Sequence, residues 1–137
     1  MNKTRKLHSV LAVLALSAAV AAAGCNVSFS TANIKSAKLA ANREGTQETT
    51  VFAKDQVIYC IVRLANAPDD TKVKSVWTAV SVEGTAPNFK IDEAEKTSGD
   101  GVIIFDLSNT QPWPTGQYKL ELFLNDKLDR ALEFQVQ

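Results

Sequence analysis

The chain has 137 residues, with 15 basic and 15 acidic side chains, one histidine and two cysteines, so its formal net charge is zero. Residues 1–24 hold three of the basic residues and none of the acidic ones, which leaves 113 residues with a formal charge of −3. That length suits one domain with a real core, and the mild acidity without a basic patch argues against nucleic-acid binding.

The first 24 residues have the layout of a secretory signal. Lys3, Arg5 and Lys6 precede an apolar run at 10–23, and small residues then lead to Cys25. A positive start, an apolar centre and a small-residue cleavage site define such signals. The apolar run of 14 residues is shorter than the roughly 20 needed to cross a bilayer. We therefore predict a signal peptide at 1–24, with a permanent transmembrane helix as the weaker alternative.

The segment "AAGC" at 22–25 resembles the lipobox of bacterial lipoproteins. In that family the cysteine thiol receives a diacylglycerol and becomes the new N-terminus, so the resemblance implies lipidation of Cys25. Two or more acyl chains make membrane attachment stable. Asn26, which follows the cysteine, implies by the same resemblance an outer-membrane location if the source has two membranes. The alternative is an ordinary secreted protein in which Cys25 is incidental.

Cys60 is the second cysteine, and lipidation of Cys25 would leave it without a partner in the chain. It lies in the apolar segment "QVIYCIVRL", where a free cysteine behaves as a small hydrophobic residue. We predict a buried, inert thiol, with an intermolecular disulfide as the alternative. The single histidine, His8, lies in the predicted signal, so the processed protein is expected to have none.

Residues 25–32 are predicted to form a short lipidated tether, and residues 33–137 one all-β domain. Segments rich in Val, Ile, Thr and aromatic residues, separated by turn clusters, indicate strands. The predicted strands are 33–41, 56–65, 72–82, 89–97, 102–108, 118–124 and 128–136. The nearly continuous apolar run at 56–65 predicts a strand covered on both faces, and the weak alternation at 89–97 predicts an edge strand.

The last two strands form the clearest predicted element, a hairpin with "NDK" at its turn. Asn and Asp tolerate the positive φ that a tight hairpin turn requires. Alternation places Leu128, Leu132, Phe134 and Val136 together on one face of the final strand. We expect that face to lie against the core.

Seven strands at roughly ten-residue spacing predict an antiparallel β-sandwich. The order of Cys60, Trp77 and "GQY" at 116–118 resembles an immunoglobulin-like domain, in which a cysteine, a tryptophan and a tyrosine corner surround one core. Leu120 stands two residues after the tyrosine, where antibody-type domains have their second cysteine. The resemblance therefore implies the looser bacterial Ig-like class, with an aliphatic side chain in place of the disulfide.

Two aromatic residues are candidates for a binding surface. Trp113 stands between Pro112 and Pro114, which hold its backbone extended, and it is interpreted either as an anchor for a partner or glycan or as a plug that closes the sandwich. Phe123 is the apolar residue on the otherwise polar face of its strand, which makes it a candidate docking residue. The alternative for Phe123 is a singly exposed aromatic without a role.

No residues are predicted to be catalytic, and no cofactor or metal is predicted. A Ser or Cys nucleophile needs an activating base, and no histidine is expected to survive processing. Loop carboxylates lack the fixed spacing of a calcium loop; they are Asp69, Asp70, Asp92, Glu93, Glu95 and Asp100.

The sequence thus favours a non-catalytic interaction module, held in the cell envelope by lipid on Cys25, with a protein partner there. An alternative is an inhibitor of an envelope protease or hydrolase that presents the loop at 66–71 or 84–88. A third, weaker alternative is a glycan- or metal-binding accessory domain.

Overall fold

A computed structural model describes residues 30–137; residues 1–29, which include the predicted signal peptide and Cys25, lie outside the described part. Residues 30–137 contain eight strands and no helix. The strands are β1 (Asn33–Ala40), β2 (Val51–Phe52), β3 (Ile58–Ala65), β4 (Thr71–Val82), β5 (Phe89–Ser98), β6 (Gly101–Leu107), β7 (Gly116–Leu124) and β8 (Lys127–Val136). All seven predicted strands are present, and β2 is an addition.

The strands form two sheets, one of three strands in the order β1-β3-β6 and one of five in the order β2-β8-β7-β4-β5. Every pair is antiparallel except β2 with β8, which is parallel. The predicted all-β sandwich is confirmed.

The core lies between the sheets because alternate residues of each strand point inward. In β3 the buried side chains are Ile58, Cys60, Val62 and Leu64, every second residue. The opposite sheet contributes Trp77 and Leu120, which are paired neighbours on β4 and β7.

The predicted double covering of β3 is wrong. Its outward side chains are partly or fully exposed, although β3 is the central strand of its sheet. Ile61 has some cover from the loop after β1, since a Cβ added at Gly45 would lie 3.1 Å from Cγ1 of Ile61. An apolar run in sequence therefore corresponds here to a strand that is buried on one face and shielded by a loop on part of the other.

The expected position of Leu128 on the core face is also wrong. Leu122 of β7 pairs with Arg130 of β8, whereas the next residue, Phe123, pairs with Leu128. Asp129 is thus the extra residue of a β-bulge, which switches the faces on which preceding side chains lie. Leu128 consequently shares the outer face with Phe123 and is 56% exposed.

The predicted tight turn between β7 and β8 is confirmed. Asn125 and Asp126 have φ of 47° and 68°, as a two-residue hairpin turn with the twist of its strands requires. Asn125 also donates its backbone N–H to the carbonyl of Lys72, at 2.9 Å, and accepts the Lys72 N–H at its side-chain oxygen, at 3.0 Å. The turn is therefore tied to the start of β4.

The two ends of the sandwich differ in their relation to the N-terminal segment. We call the end that contains loops 66–70, 99–100 and 125–126 the tether end, because Ser30 lies beside it: Asn125 Nδ2 is 3.5 Å from Ser30 Oγ, and Thr31 Oγ1 donates to the Asn66 carbonyl at 3.0 Å. The opposite end contains loops 83–88 and 108–115.

Candidate functional site

Trp113, the first candidate, is a buried residue at the opposite end of the sandwich. Its side chain is 6% exposed, and its indole Nε1 donates to the Gln56 carbonyl at 3.2 Å. Its backbone N–H donates to the carbonyl of Lys54 at 2.7 Å. The side chain thus packs as a plug held by the loop between β2 and β3, and it offers a partner no exposed ring.

Phe123, the second candidate, is only half-buried, but a lysine covers part of its ring. Lys74 pairs with it across β4 and β7, and its Nζ lies 4.7 Å from the ring centroid, within the range of a cation–π contact. Leu128 flanks it on the other side. The apolar surface at this position is therefore shared by Phe123 and the more exposed Leu128, which the alternation pattern had assigned to the core.

Phe89, at the first position of β5, is a further exposed aromatic that the sequence did not single out as a binding residue. Its side chain is 55% exposed and lies at the opposite end, next to the loop at 83–88. Its position on the predicted edge strand was the available signal, because an edge strand covers its side chains poorly.

The outer face of the five-stranded sheet is otherwise charged. Glu93 accepts a hydrogen bond from Lys90 at 2.8 Å and lies 3.8 Å from Lys74. The hydrogen bond from Lys90, and then its charge, lower the pKa of the Glu93 carboxyl. Lys119 and Glu121 form a similar pair at 3.1 Å. Exposed pairs of this kind contribute little to stability, so this face is mainly a solvated surface.

Cys60 lies in the core as a free thiol with no exposed area. Burial raises its pKa from 9.0 to about 12, against a smaller opposing effect of the Arg130 charge. Since the thiolate is the nucleophilic form, this thiol is unsuited to reaction near neutral pH. The prediction of a buried thiol is confirmed.

The scattered loop carboxylates do not converge. Within the described range 30–137, no group of three or more His, Cys, Asp or Glu side chains is placed to hold a metal ion.

The same range contains no helix long and apolar enough to span a membrane.

On both long sides of the sandwich, a basic side chain of the five-stranded sheet bridges to the three-stranded sheet. On the β5–β6 side, the Lys96 ammonium donates to the carbonyl of Ile104 and lies 5.3 Å from the Phe105 ring centroid. On the β1–β8 side, the Arg130 guanidinium donates to the carbonyl of Ile34 at 2.6 Å. Each of these long side chains thus donates a hydrogen bond to a backbone carbonyl of the three-stranded sheet.

A lateral opening remains on the β1–β8 side, between Arg130 and the segment at 48–50 that crosses from one sheet to the other. Its volume is about 410 Å³. The residues that line it are Ala37, Lys38, Leu39, Glu48, Thr50, Ala131, Leu132 and Glu133. A larger, open groove of about 890 Å³ lies at the tether end and is lined in part by Ser30, Thr71 and Lys127.

Comparison with known proteins shows the fold. No family model matches the chain, and no curated protein matches it. Among solved structures, it is similar to an immunoglobulin-like protein from Pseudomonas aeruginosa, with a TM-score of 0.51 and 16% identity over 77% of this chain and 96% of that one.

The chain is also similar to an alkylpurine DNA glycosylase from Pseudomonas fluorescens, with a TM-score of 0.51 and 16% identity over 77% of this chain. It spans only 30% of the glycosylase's length. At such identities the likeness concerns the fold alone. The chain is thus an Ig-like β-sandwich, as its Cys, Trp and Tyr order indicated.

Proposed function

We propose that the protein is a lipid-anchored lipoprotein of the cell envelope that acts as a non-catalytic module for binding another protein. The Ig-like fold is consistent with such a module, and the signal-like N-terminus with Cys25 supports the anchor. The membrane is reached through the lipid on Cys25, and the protein partner lies in the envelope.

The position of Ser30 is the observation that carries this proposal. Ser30 and Thr31 contact Asn125 and Asn66 at the tether end. Cys25 stands five residues before Ser30. Even a fully extended chain of that length spans at most about 18 Å. An anchor at Cys25 would hold the tether end close to the bilayer and direct the opposite end, with Phe89, away from it.

The chemistry of the described side chains supports binding rather than catalysis. Residues 30–137 contain no histidine, and the thiol of Cys60 is buried with a raised pKa. A nucleophile needs a base or a lowered pKa for activation. Turnover of any envelope substrate by the purified protein would contradict this part of the proposal.

In-cell photo-crosslinking tests the binding role. A photoreactive amino acid would replace Phe89 at the opposite end, Leu128 on the outer face or Glu133 on the edge of β8, one position at a time in the anchored protein. We expect at least one position to capture a specific envelope protein, with the same partner lost when Cys25→Ser releases the anchor. No specific adduct from any of the three positions would contradict the proposal.

Inhibition of an envelope protease or hydrolase is a second candidate, and one observation favours the loop at 84–88 for it. This loop lies at the opposite end, where an anchored domain is accessible, whereas the loop at 66–71 lies beside the tether. Gly84 and Asn88 lie at the two ends of the loop, with positive φ of 71° and 55°. The Asn88 N–H donates a hydrogen bond to the Val80 carbonyl at 3.2 Å. Stoichiometric inhibition of a protease panel, lost in a variant with the loop shortened, would support this candidate over a simple binding module.

A further inference from the structure

The free part of the β8 edge differs from the other sheet edges. On β6, Lys96 occupies the carbonyl of Ile104. On β1, the register shifts between Ile34 and Ser36, and a bulge of this kind disrupts regular pairing. Most of the outward side chains of β5 are charged, an arrangement that discourages edge pairing. β8 is covered only by the two residues of β2, which pair with Gln135 and Val136.

The backbone pattern of β8 shows which groups face this free edge. The N–H groups of Gln135 and Gln137 donate to the carbonyls of Thr50 and Phe52 on the β2 side, at 2.9 and 3.0 Å. Since alternate residues of a strand direct their backbone groups to the same side, those of Glu133 and Ala131 point to the same edge. β2 does not extend to them, because Thr49 turns away and donates its N–H to the carbonyl of Leu39.

Beside these groups lies the lateral opening of about 410 Å³. Its floor is apolar: Leu39 is buried, Leu132 is half-buried and Ala37 packs against the core. The volume is sufficient for one large aliphatic or aromatic side chain. A strand paired to Ala131 and Glu133 would direct one side chain into this opening, since Leu132 between them faces inward.

Two carboxylates, those of Glu48 and Glu133, line the opening. Lys119 lies opposite Glu133 on β7, but its ammonium pairs with Glu121. Neither Glu48 nor Glu133 forms an ion pair with any residue from 30 to 137. Lys38 also lines the opening, but its Cε lies 3.1 Å from the Cβ position at Gly45, on the outer face of the three-stranded sheet. Basic side chains beside the inserted apolar residue would therefore meet an acidic rim.

From these observations we propose that the free edge of β8 receives an extended segment of the partner protein, with one large apolar side chain in the lateral opening and basic residues on either side of it. The segment would continue the sheet next to β2, a mode of recognition in which backbone bonds give affinity and side-chain pockets give specificity. The inference rests on the proposed binding function and names the chemistry of the partner segment.

A designed peptide provides the probe. It has seven residues, alternates lysine with threonine and carries leucine at its centre. Two matched peptides differ only in glutamate for lysine or in serine for the central leucine. Binding would be followed by NMR on the ¹⁵N-labelled protein, with hydrogen exchange of the Ala131 and Glu133 amides as the specific readout.

We expect the lysine–leucine peptide to shift the resonances of Ala131 and Glu133 and to slow exchange of their N–H groups at least tenfold at saturation. The glutamate and serine peptides should each bind at least tenfold more weakly. Glu133→Lys should weaken the first peptide at least threefold, whereas Glu95→Lys, on the edge of β5, should leave it unchanged. Ala131→Pro removes one edge N–H and should abolish the protection from hydrogen exchange. If the proline variant does not fold, the weaker peptide binding expected for Glu133→Lys still tests the inference.

Equal binding of the three peptides, or shifts that map to β5 or to the opposite end, would overturn the inference. The binding function is tested separately by crosslinking. Capture of an envelope protein from Phe89 without any response at the β8 edge would overturn the inference about β8 and leave the binding function supported.

Discussion

The hydroxyl of Tyr118 donates a hydrogen bond of 2.6 Å to the carbonyl oxygen of Pro114, four residues earlier in the chain. The ring is buried and stacks on Phe134 with centroids 5.3 Å apart, and burial raises the pKa of its phenol. This is the tyrosine corner that the Ig-like resemblance implied. It sets the path by which the chain passes from Trp113 into β7.

Replacement Tyr118→Phe should remove this bond and leave the carbonyl of Pro114 without its partner. We expect the free energy of unfolding to fall by about 0.5–1.5 kcal/mol, the net contribution of one hydrogen bond, because Pro114 is exposed and water can reach its carbonyl in the variant. Chemical denaturation measures the change. Tyr59→Phe, on the half-buried outer side of β3, is the matched control, and an equal effect of both variants would contradict a special role for the corner.

The pH dependence of the free energy of unfolding should reveal the raised pKa of the buried Cys60 thiol. Its pKa of about 12 in the folded protein exceeds the ordinary 9.0, so the unfolded chain loses this proton first as pH rises. The stabilisation is complete below pH 9 and is lost progressively as pH rises toward 12, at about 1.4 kcal/mol per pH unit.

Cys60→Ala should therefore show a weaker alkaline loss of stability than the unchanged protein, by about 2 kcal/mol between pH 8.5 and 10.5. Denaturant titrations at both pH values test this, and the lower baseline of the variant does not affect the difference. Parallel curves for the two proteins would show that the thiol does not titrate as its burial requires.

Gly116, at the start of β7, should not tolerate a side chain. Its φ is 153°, and an added Cβ would collide with the carbonyl oxygen of Ser81 and lie 2.7 Å from Cα of Val82. We expect Gly116→Ala to cost more than about 3 kcal/mol, since strain and a backbone collision combine.

Gly84→Ala is the control for that substitution, because its φ is 71° but no atom lies within 4 Å of the new Cβ. It should cost only about 1–2 kcal/mol, the strain of a left-handed residue. Thermal unfolding compares the two variants, and similar losses would mean that the contact with β4 is not close.

The bulge at Asp129 predicts that alanine substitution of two leucines in the same hairpin has very unequal effects on stability. Leu120→Ala should cost about 2–5 kcal/mol because the side chain is fully buried and a cavity would remain. Leu128→Ala should change stability by no more than about 0.5 kcal/mol. A large loss from Leu128→Ala would place its side chain in the core and contradict the observed register.

Lipidation of Cys25 is tested by cell fractionation. The Cys25→Ser variant should remain unprocessed or appear in the soluble fraction, because two acyl chains are needed for stable attachment. Cys60→Ala, which leaves Cys25 intact, should stay with the membranes. Membrane fractionation of Cys25→Ser in processed form would refute the anchor.

Local patterns were sufficient for most of the fold. Alternation and turn residues located seven strands, because each of these signals lies within one strand or one turn. The order of Cys60, Trp77 and Tyr118 along the chain indicated the Ig-like arrangement through its resemblance to that class. β2 was not predicted, because a strand of two residues is too short to show an alternation of apolar and polar side chains. Its pairing with Gln135 and Val136 depends on where the chain crosses between sheets.

The errors arose where a feature depends on residues distant in the chain or on one extra residue. Asp129 switches the face of Leu128, and alternation alone cannot show which strand residue is unpaired. The lateral opening was not predicted at all, because Leu39 and Glu133 meet only through the packing of two sheets. The links from Lys96 and Arg130 to carbonyls of the opposite sheet are likewise invisible in sequence, although Lys on an exposed edge is a general signal.

The entry of the chain at the tether end has a mechanical consequence. β1 begins at that end and pairs with β3 from Asn33 to Ala40, so a pull transmitted through the residues before Ser30 acts along the axis of β1. When the opposing force acts at the opposite end of the sandwich, the hydrogen bonds of the β1–β3 ladder are loaded together, in shear, rather than opened one after another. A domain that is held at one end and engaged by a partner elsewhere would resist extension through the whole length of its first strand.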